Sequence, residues 1–249
     1  MTMQHSRFAF LTGATAVFLA APAVAAPGPS ATPTPPPECR LAPVSPAVAR
    51  QRLVDGNVRF MKNEMIRNRN PIRRRAELPG QCPFATVVAC SDSRVPPETV
   101  FDQDLGELFT CRVAGTVADT PVTGSIEYAS GGAFKPAPGI VVVLGHEGCG
   151  AVKAALDTLN TGVLPGSSVG PLVREILPNV RKGMALDEAV KANAIAVART
   201  LRMSPVLKPQ LGDGGSLAIV PAYYHLVSGL VEFLAEPTGA APRRPLAFL

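Results

Sequence analysis

The chain is 249 residues long, with a formal net charge of +5, a pI near 9.1, five cysteines and no tryptophan. Much of the positive excess is one cluster, IRNRNPIRRR around Arg67 to Arg75, which reads as a solvated loop or a subunit contact. No aromatic side chains interleave with it, so a base-stacking surface has no support and no nucleic-acid partner is expected.

The first segment, MTMQHSRFAFLTGATAVFLAAPAVAAPGPS, places Arg7 before an apolar run from Phe8 to about Ala21, followed by Ala23-Val24-Ala25. A charged start, a short apolar stretch and small residues of the A-x-A kind predict a signal peptide over residues 1–26. The run is shorter than the roughly 20 apolar residues a membrane span takes, so no stable membrane insertion is expected after cleavage. Export to the periplasm or the medium follows. Residues 27–44, rich in proline and small residues, read as a linker that cannot bury enough apolar surface to fold. Residues 45–240 are expected to form one domain, with a tail over 241–249.

Ser45-Pro46 reads as an N-cap followed by proline at the first helical position. The helix it opens carries Ala49, Leu53, Phe60 and Met61 at roughly helical spacing. ATVVAC (85–90), ELFTCRV (107–113), IVVVLG (140–145) and SLAIV (216–220) read as short, continuous apolar strands. Continuity, in place of alternation, predicts burial on both faces, as in a parallel sheet covered by helices. ALDEAVKANAIAVARTLRM puts Leu186, Val190, Ala194, Val197 and Leu201 on one helical face, ended by Ser204-Pro205. The predicted class is α/β, a mostly parallel central sheet of four to five strands covered by helices.

In such sheets ligands sit beyond the carboxyl ends of the strands. Cys90 ends the first strand, and His146 and Cys149 follow the third in VLGHEGCGA. Together they make a Cys₂His set, and three protein ligands with a free position are what catalytic zinc uses. A closed four-ligand site would need another cysteine. Cys39 lies in the linker, Cys82 before a strand and Cys111 inside one, and none has ligand-like spacing. A Cys90–Cys149 disulfide is the alternative if metal is absent, Cys39 with Cys82 is the other conceivable pair, and Cys111 reads as a small buried hydrophobe. Gly145, Gly148 and Gly150 would let the backbone approach the ion.

CSDSR followed by HEGCG resembles the β class of carbonic anhydrases. LVDGNVRF, GQCPFATVVACSDSRVPPE, DLGELFTCRVAGTV, GSIEYA, GIVVVLGHEGCGAVKAAL and AYYHLVSGLV extend the resemblance, in order, over residues 46 to 236. It implies one zinc per chain on Cys90, His146 and Cys149, and reversible hydration of carbon dioxide to bicarbonate by attack of zinc-bound hydroxide. It also implies N-terminal helices that clasp a partner subunit in a homodimer or homotetramer. Asp92 and Arg94 become the family's aspartate–arginine pair, the carboxylate orienting the nucleophile and the guanidinium holding the carboxylate. Read without the metal motif, the same two residues would be a local capping pair.

Gln103 resembles the family's substrate-entrance residue only loosely, and Asp104 competes for that place. His225 is a candidate proton carrier or a satisfied histidine beside a helix start. The family often has asparagine where this chain has Thr116, a difference expected to affect local hydrogen bonding and not the metal. Some members carry an inhibitory bicarbonate site built with tryptophan, and that form of regulation is not expected here. Rival readings are a carbon disulfide or carbonyl sulfide hydrolase on the same scaffold, or a non-catalytic zinc-binding domain.

Overall fold

The computed structural model describes residues 42–66 and 80–235. The expectations for the signal peptide, for the linker up to residue 41, for the Arg67–Arg75 cluster and for the tail lie outside the described residues. Helix α1 (Pro46–Met61) starts as anticipated, with the Ser45 hydroxyl accepting from Val48 N at 3.4 Å and proline in the first turn. Strand β1 (Ala85–Ala89) leads through the short α2 (Pro97–Val100) to β2 (Leu108–Arg112), and α3 (Thr120–Tyr128) leads to β3 (Ile140–His146). Then come α4 (Gly150–Thr161), α5 (Val169–Ile176), α6 (Leu186–Arg202), β4 (Ala218–Tyr224) and β5 (Val231–Phe233).

The strands form one sheet in the order β2-β1-β3-β4-β5. The first four are parallel, and β5 is antiparallel to β4. Every residue of β1 and β3 is buried, because the sheet is covered on both sides. Val87, Ile140, Val142 and Leu144 pack with Ala49 and Leu53 of α1, whereas Val88, Val141 and Val143 pack with Ala194, Val197 and Leu201 of α6. Cys111 joins the second group as a buried free thiol. Met61, expected on the buried face of α1, is 38% exposed, since α1 is at its end there. Among the described residues no helix is long and apolar enough to cross a membrane.

Two elements differ from the sequence expectation. The fourth strand, expected over 216–220, spans Ala218–Tyr224 and so runs through Pro221. Pro221 directs its carbonyl at Leu234 N (2.9 Å), so its nitrogen also faces that side and the ladder to β3 loses no donor. After Tyr224 the chain makes a tight turn closed by His225 N to Leu230 O and Gly229 N to His225 O, both 2.9 Å, and continues as β5. His225 therefore stands at a hairpin, not at a helix start.

Asn57 ties α1 to that hairpin. Its Nδ2 donates to Val100 O (3.1 Å) and Gly229 O (2.8 Å), and its Oδ1 accepts from Val231 N (2.8 Å). The residue is 3% exposed. At about 1–3 kcal/mol for each buried group left unpaired, Asn57→Ala is expected to destabilise the fold by about 3 kcal/mol. A urea titration reads this as a lower midpoint at unchanged slope.

Candidate metal centre

Parallel β1 and β3 are in register at Ala89 and Leu144, so the residues just beyond them meet at one end of the sheet. Cys90 leaves β1 there, His146 ends β3, and Cys149 caps α4. All three are buried, and their candidate ligand atoms lie within 4.8 Å of one another. His146 Nδ1 is 2.9 Å from Glu147 O, a carbonyl that can only accept, so the proton sits on Nδ1. Nε2 then carries the lone pair, and this atom is buried without a hydrogen-bond partner. A buried, unpaired imidazole nitrogen facing two thiols fits a soft divalent ion, and the Cys₂His donor set fits zinc.

The charges point the same way. The Cys90 thiol is drawn well below its usual range, first by the hydrogen bond from Cys149, then by His146 and the Gly115 N–H, against the effect of burial. Cys149 is pushed up by that same hydrogen bond and by burial. The pair thus shares one proton, which a bound metal would expel from Cys149. The N–H groups of Ala151 and Val152, at the start of α4, favour the thiolate that results. For His146, burial favours the neutral ring, but the negative charge of Cys90 beside it works the other way and its pKa is raised.

Asp92 and Arg94 lie at the rim. Arg94 grips the carboxylate with Nε to Oδ1 (3.0 Å) and Nη2 to Oδ2 (2.7 Å), and its backbone N–H adds a bond to Oδ1 (2.9 Å). This fork holds Asp92 well below the usual carboxylate range. Asp92 Oδ2 stops 4.0 Å from His146 Nε2, near the ligand atoms but clamped away from them.

The carbonic anhydrase family model matches residues 85–231. A carbonic anhydrase of Mycolicibacterium smegmatis is 39% identical over 194 residues, which is 76% of this chain and 93% of that protein. The β-carbonic anhydrase CafA of Aspergillus fumigatus superposes with a TM-score of 0.53 at 25% identity, covering 77% of this chain and 91% of that one. One of two tetrameric β-carbonic anhydrases from Sordaria macrospora gives 0.55 at 21% identity, over 66% and 87%, and supports the fold alone. The chain belongs to the β-carbonic anhydrases.

Several residues that support the enzyme's site were missed by sequence reading. Arg112, on the neighbouring β2, donates from Nε to Cys90 O (3.1 Å) and from Nη2 to Asp92 O (2.6 Å), and so braces the turn between ligand and carboxylate. Glu147 Oε2 accepts from Leu226 N (2.8 Å), fixing the hairpin beside His146. The preceding motif names Arg112, but only the parallel pairing of β1 with β2 reveals what it holds.

The glycines divide by cause. Gly148 has φ +66, a left-handed turn that explains its identity. A Cβ on Gly145 would sit 2.8 Å from Val190 Cγ1, so that glycine admits α6, not an ion. Gly150 meets nothing within 4 Å and has no such demand. Gln103 and Asp104 each make a bond within their own loop. Gln103 is buried and donates to Phe101 O at 2.5 Å, and Asp104 Oδ1 accepts from Leu105 N at 2.8 Å. His225 Nε2 faces Glu232 Oε2 at 3.3 Å, and Glu232 also pairs with Lys191. Cys82 is disulfide-bonded, while Cys39, its expected partner, lies outside the described residues. Cys90 and Cys149 are free thiols and make no bridge.

Thr116 adopts φ +56, a region that is strained for a β-branched side chain, and its hydroxyl donates to Leu144 O at 3.1 Å. Asparagine tolerates that backbone better and carries a donor for the same carbonyl. With about 1 kcal/mol of relief, Thr116→Asn is expected to raise Tm by about 2–4 °C. Calorimetry checks it, and a lowered Tm would show that the hydroxyl outweighs the strain.

Proposed function

We propose that this β-carbonic anhydrase hydrates carbon dioxide reversibly to bicarbonate and a proton at one zinc ion held by Cys90, His146 and Cys149. The observation that carries the reading is the buried, unpartnered His146 Nε2, grouped with two thiols while Asp92 is clamped short of them. Zinc bound there lowers the pKa of water and so supplies hydroxide as the nucleophile near neutral pH. Asp92 accepts a hydrogen bond from that nucleophile and orients it towards carbon dioxide. Held ionised by Arg94, Asp92 orients the proton and does not store it. Arg94, with 58% of its side chain exposed, fixes the carboxylate from the solvent side.

Because Asp92 remains ionised across the working range, its titration does not shape the rate. The thiolates of Cys90 and Cys149 would cancel the formal charge of a bound zinc ion and so would acidify water less than three histidines. Activity is therefore expected to rise from about pH 6 to pH 9. A flat profile would remove ionisation of that water from the rate law.

The deciding experiment is stopped-flow carbon dioxide hydration with zinc assayed on the same sample. One zinc per chain with fast hydration supports the reading. One zinc without hydration redirects the search to carbon disulfide and carbonyl sulfide, and then to a non-catalytic domain. Export follows from the segment MTMQHSRFAFLTGATAVFLAAPAVAA and is tested by fractionating cells that make the full chain. An even-numbered oligomer is what the family resemblance implies, and sedimentation tests it.

A further inference from the structure

The turn after β2 reaches the metal centre through one peptide. Gly115 N–H donates to Cys90 Sγ at 3.4 Å. Gly115 has φ +77, and a Cβ there would meet Ile176 Cδ1 at 2.6 Å, so a side chain at this place would be strained and would press on Ile176. A glycine without such a side chain is free to rotate unless its flanking peptides are held. The hold comes from α6. Asn193 Nδ2 donates to Gly115 O at 2.8 Å, and Asn193 Oδ1 in turn accepts from Asn179 Nδ2 at 2.9 Å. Asn193 is 2% exposed and stands between buried Val190 and Val197 on a face that packing alone would fill with an apolar side chain. A buried amide in that position is costly unless it is paired, and both its polar atoms are paired.

We propose that Asn193 is a positioning residue for the metal centre. By holding Gly115 O it aims the Gly115 N–H at Cys90 Sγ, and so sets the direction and donor strength of that ligand. Partners of metal ligands commonly act in this way, and their loss lowers metal affinity by about 10–100-fold. The inference rests on the reading of Cys90 as a zinc ligand.

The test uses the full chain and three variants, Asn193→Asp, Asn193→Ala and Asn179→Ala. Zinc affinity is measured by chelator competition, and the thiolate-to-metal absorption band is recorded after substitution with cobalt(II). Both Asn193 variants are expected to bind zinc about tenfold more weakly. They are also expected to move the band to lower energy, because a thiolate relieved of its N–H partner is more electron-rich. Asn179→Ala, at a half-buried position, is expected to move both readouts in the same direction but less. Folded Asn193 variants with wild-type affinity and an unmoved band would make Asn193 a packing residue and overturn the proposal. Where the Asn193 variants fail to fold, an unmoved band in Asn179→Ala overturns it instead. A wild-type chain that takes up no metal overturns the zinc reading itself, and zero stoichiometry tells that result apart.

Discussion

Asp92→Asn is expected to lower kcat/KM for carbon dioxide hydration by about 10²–10³-fold, the loss found when one preorganised hydrogen-bonding group is removed from a reacting centre. Zinc content should stay at one per chain. The argument is geometric. Both oxygens of Asp92 are occupied by Arg94, and the carboxylate stops 4.0 Å from His146 Nε2, so it is not part of the grouped ligand set. An amide of the same shape keeps the space but offers Arg94 a donor in place of one acceptor, and loses the charge that orients the nucleophile. Loss of rate together with loss of zinc would instead make Asp92 a ligand. An unchanged rate would remove it from the reaction altogether.

Cys149→Ser is expected to abolish both zinc uptake and activity while leaving the secondary structure intact. The hydroxyl would be a poor substitute, because zinc favours a soft thiolate over a neutral hydroxyl. Most of the sheet is covered without the site, since the clusters on its two faces contain neither Cys149 nor His146, and only a third cluster, which joins Tyr223 of β4 to α4 and α5, includes Cys149. Circular dichroism should therefore match the wild type. In the wild type, free zinc at a hundred times its dissociation constant stabilises the fold by about 2.7 kcal/mol. The variant should lose that increment, so its Tm no longer responds to added zinc or chelator. A variant that still binds one zinc and hydrates carbon dioxide would show that two ligands suffice and refute the three-residue centre.

Much of this molecule was legible without coordinates, for reasons of local chemistry. Continuous apolar runs at 85–90 and 140–145 announce strands covered on both faces, and the structure buries each residue of those two strands. Ser45-Pro46 announces a helix start because its capping is complete within three residues. The grouping of Cys90, His146 and Cys149 was also readable, since two of them stand at the ends of predicted strands and the third follows three residues on, where parallel sheets gather their sites. The expected end of the fourth strand at 220 fell four residues short, because the pairing of β4 with β3 continues to Tyr224. The three-residue β5 was too short to leave a pattern, and it exists because β4 offers it an edge.

What the amino-acid sequence determined by itself is the class of fold, the identity of the three grouped donors and the aspartate–arginine pair beside them. Each of these is carried by residues close together in the chain or by strand ends that a parallel sheet must align. Only the tertiary structure decided how the donors are held. The tautomer of His146 depends on the carbonyl of Glu147, the brace on Cys90 and Asp92 comes from Arg112 one strand away, and the grip on Gly115 comes from Asn193 on α6. Those contacts join residues from separate elements, and their partners are mostly backbone atoms. A backbone carbonyl looks the same at every position in a sequence, so packing alone selects which one a side chain meets.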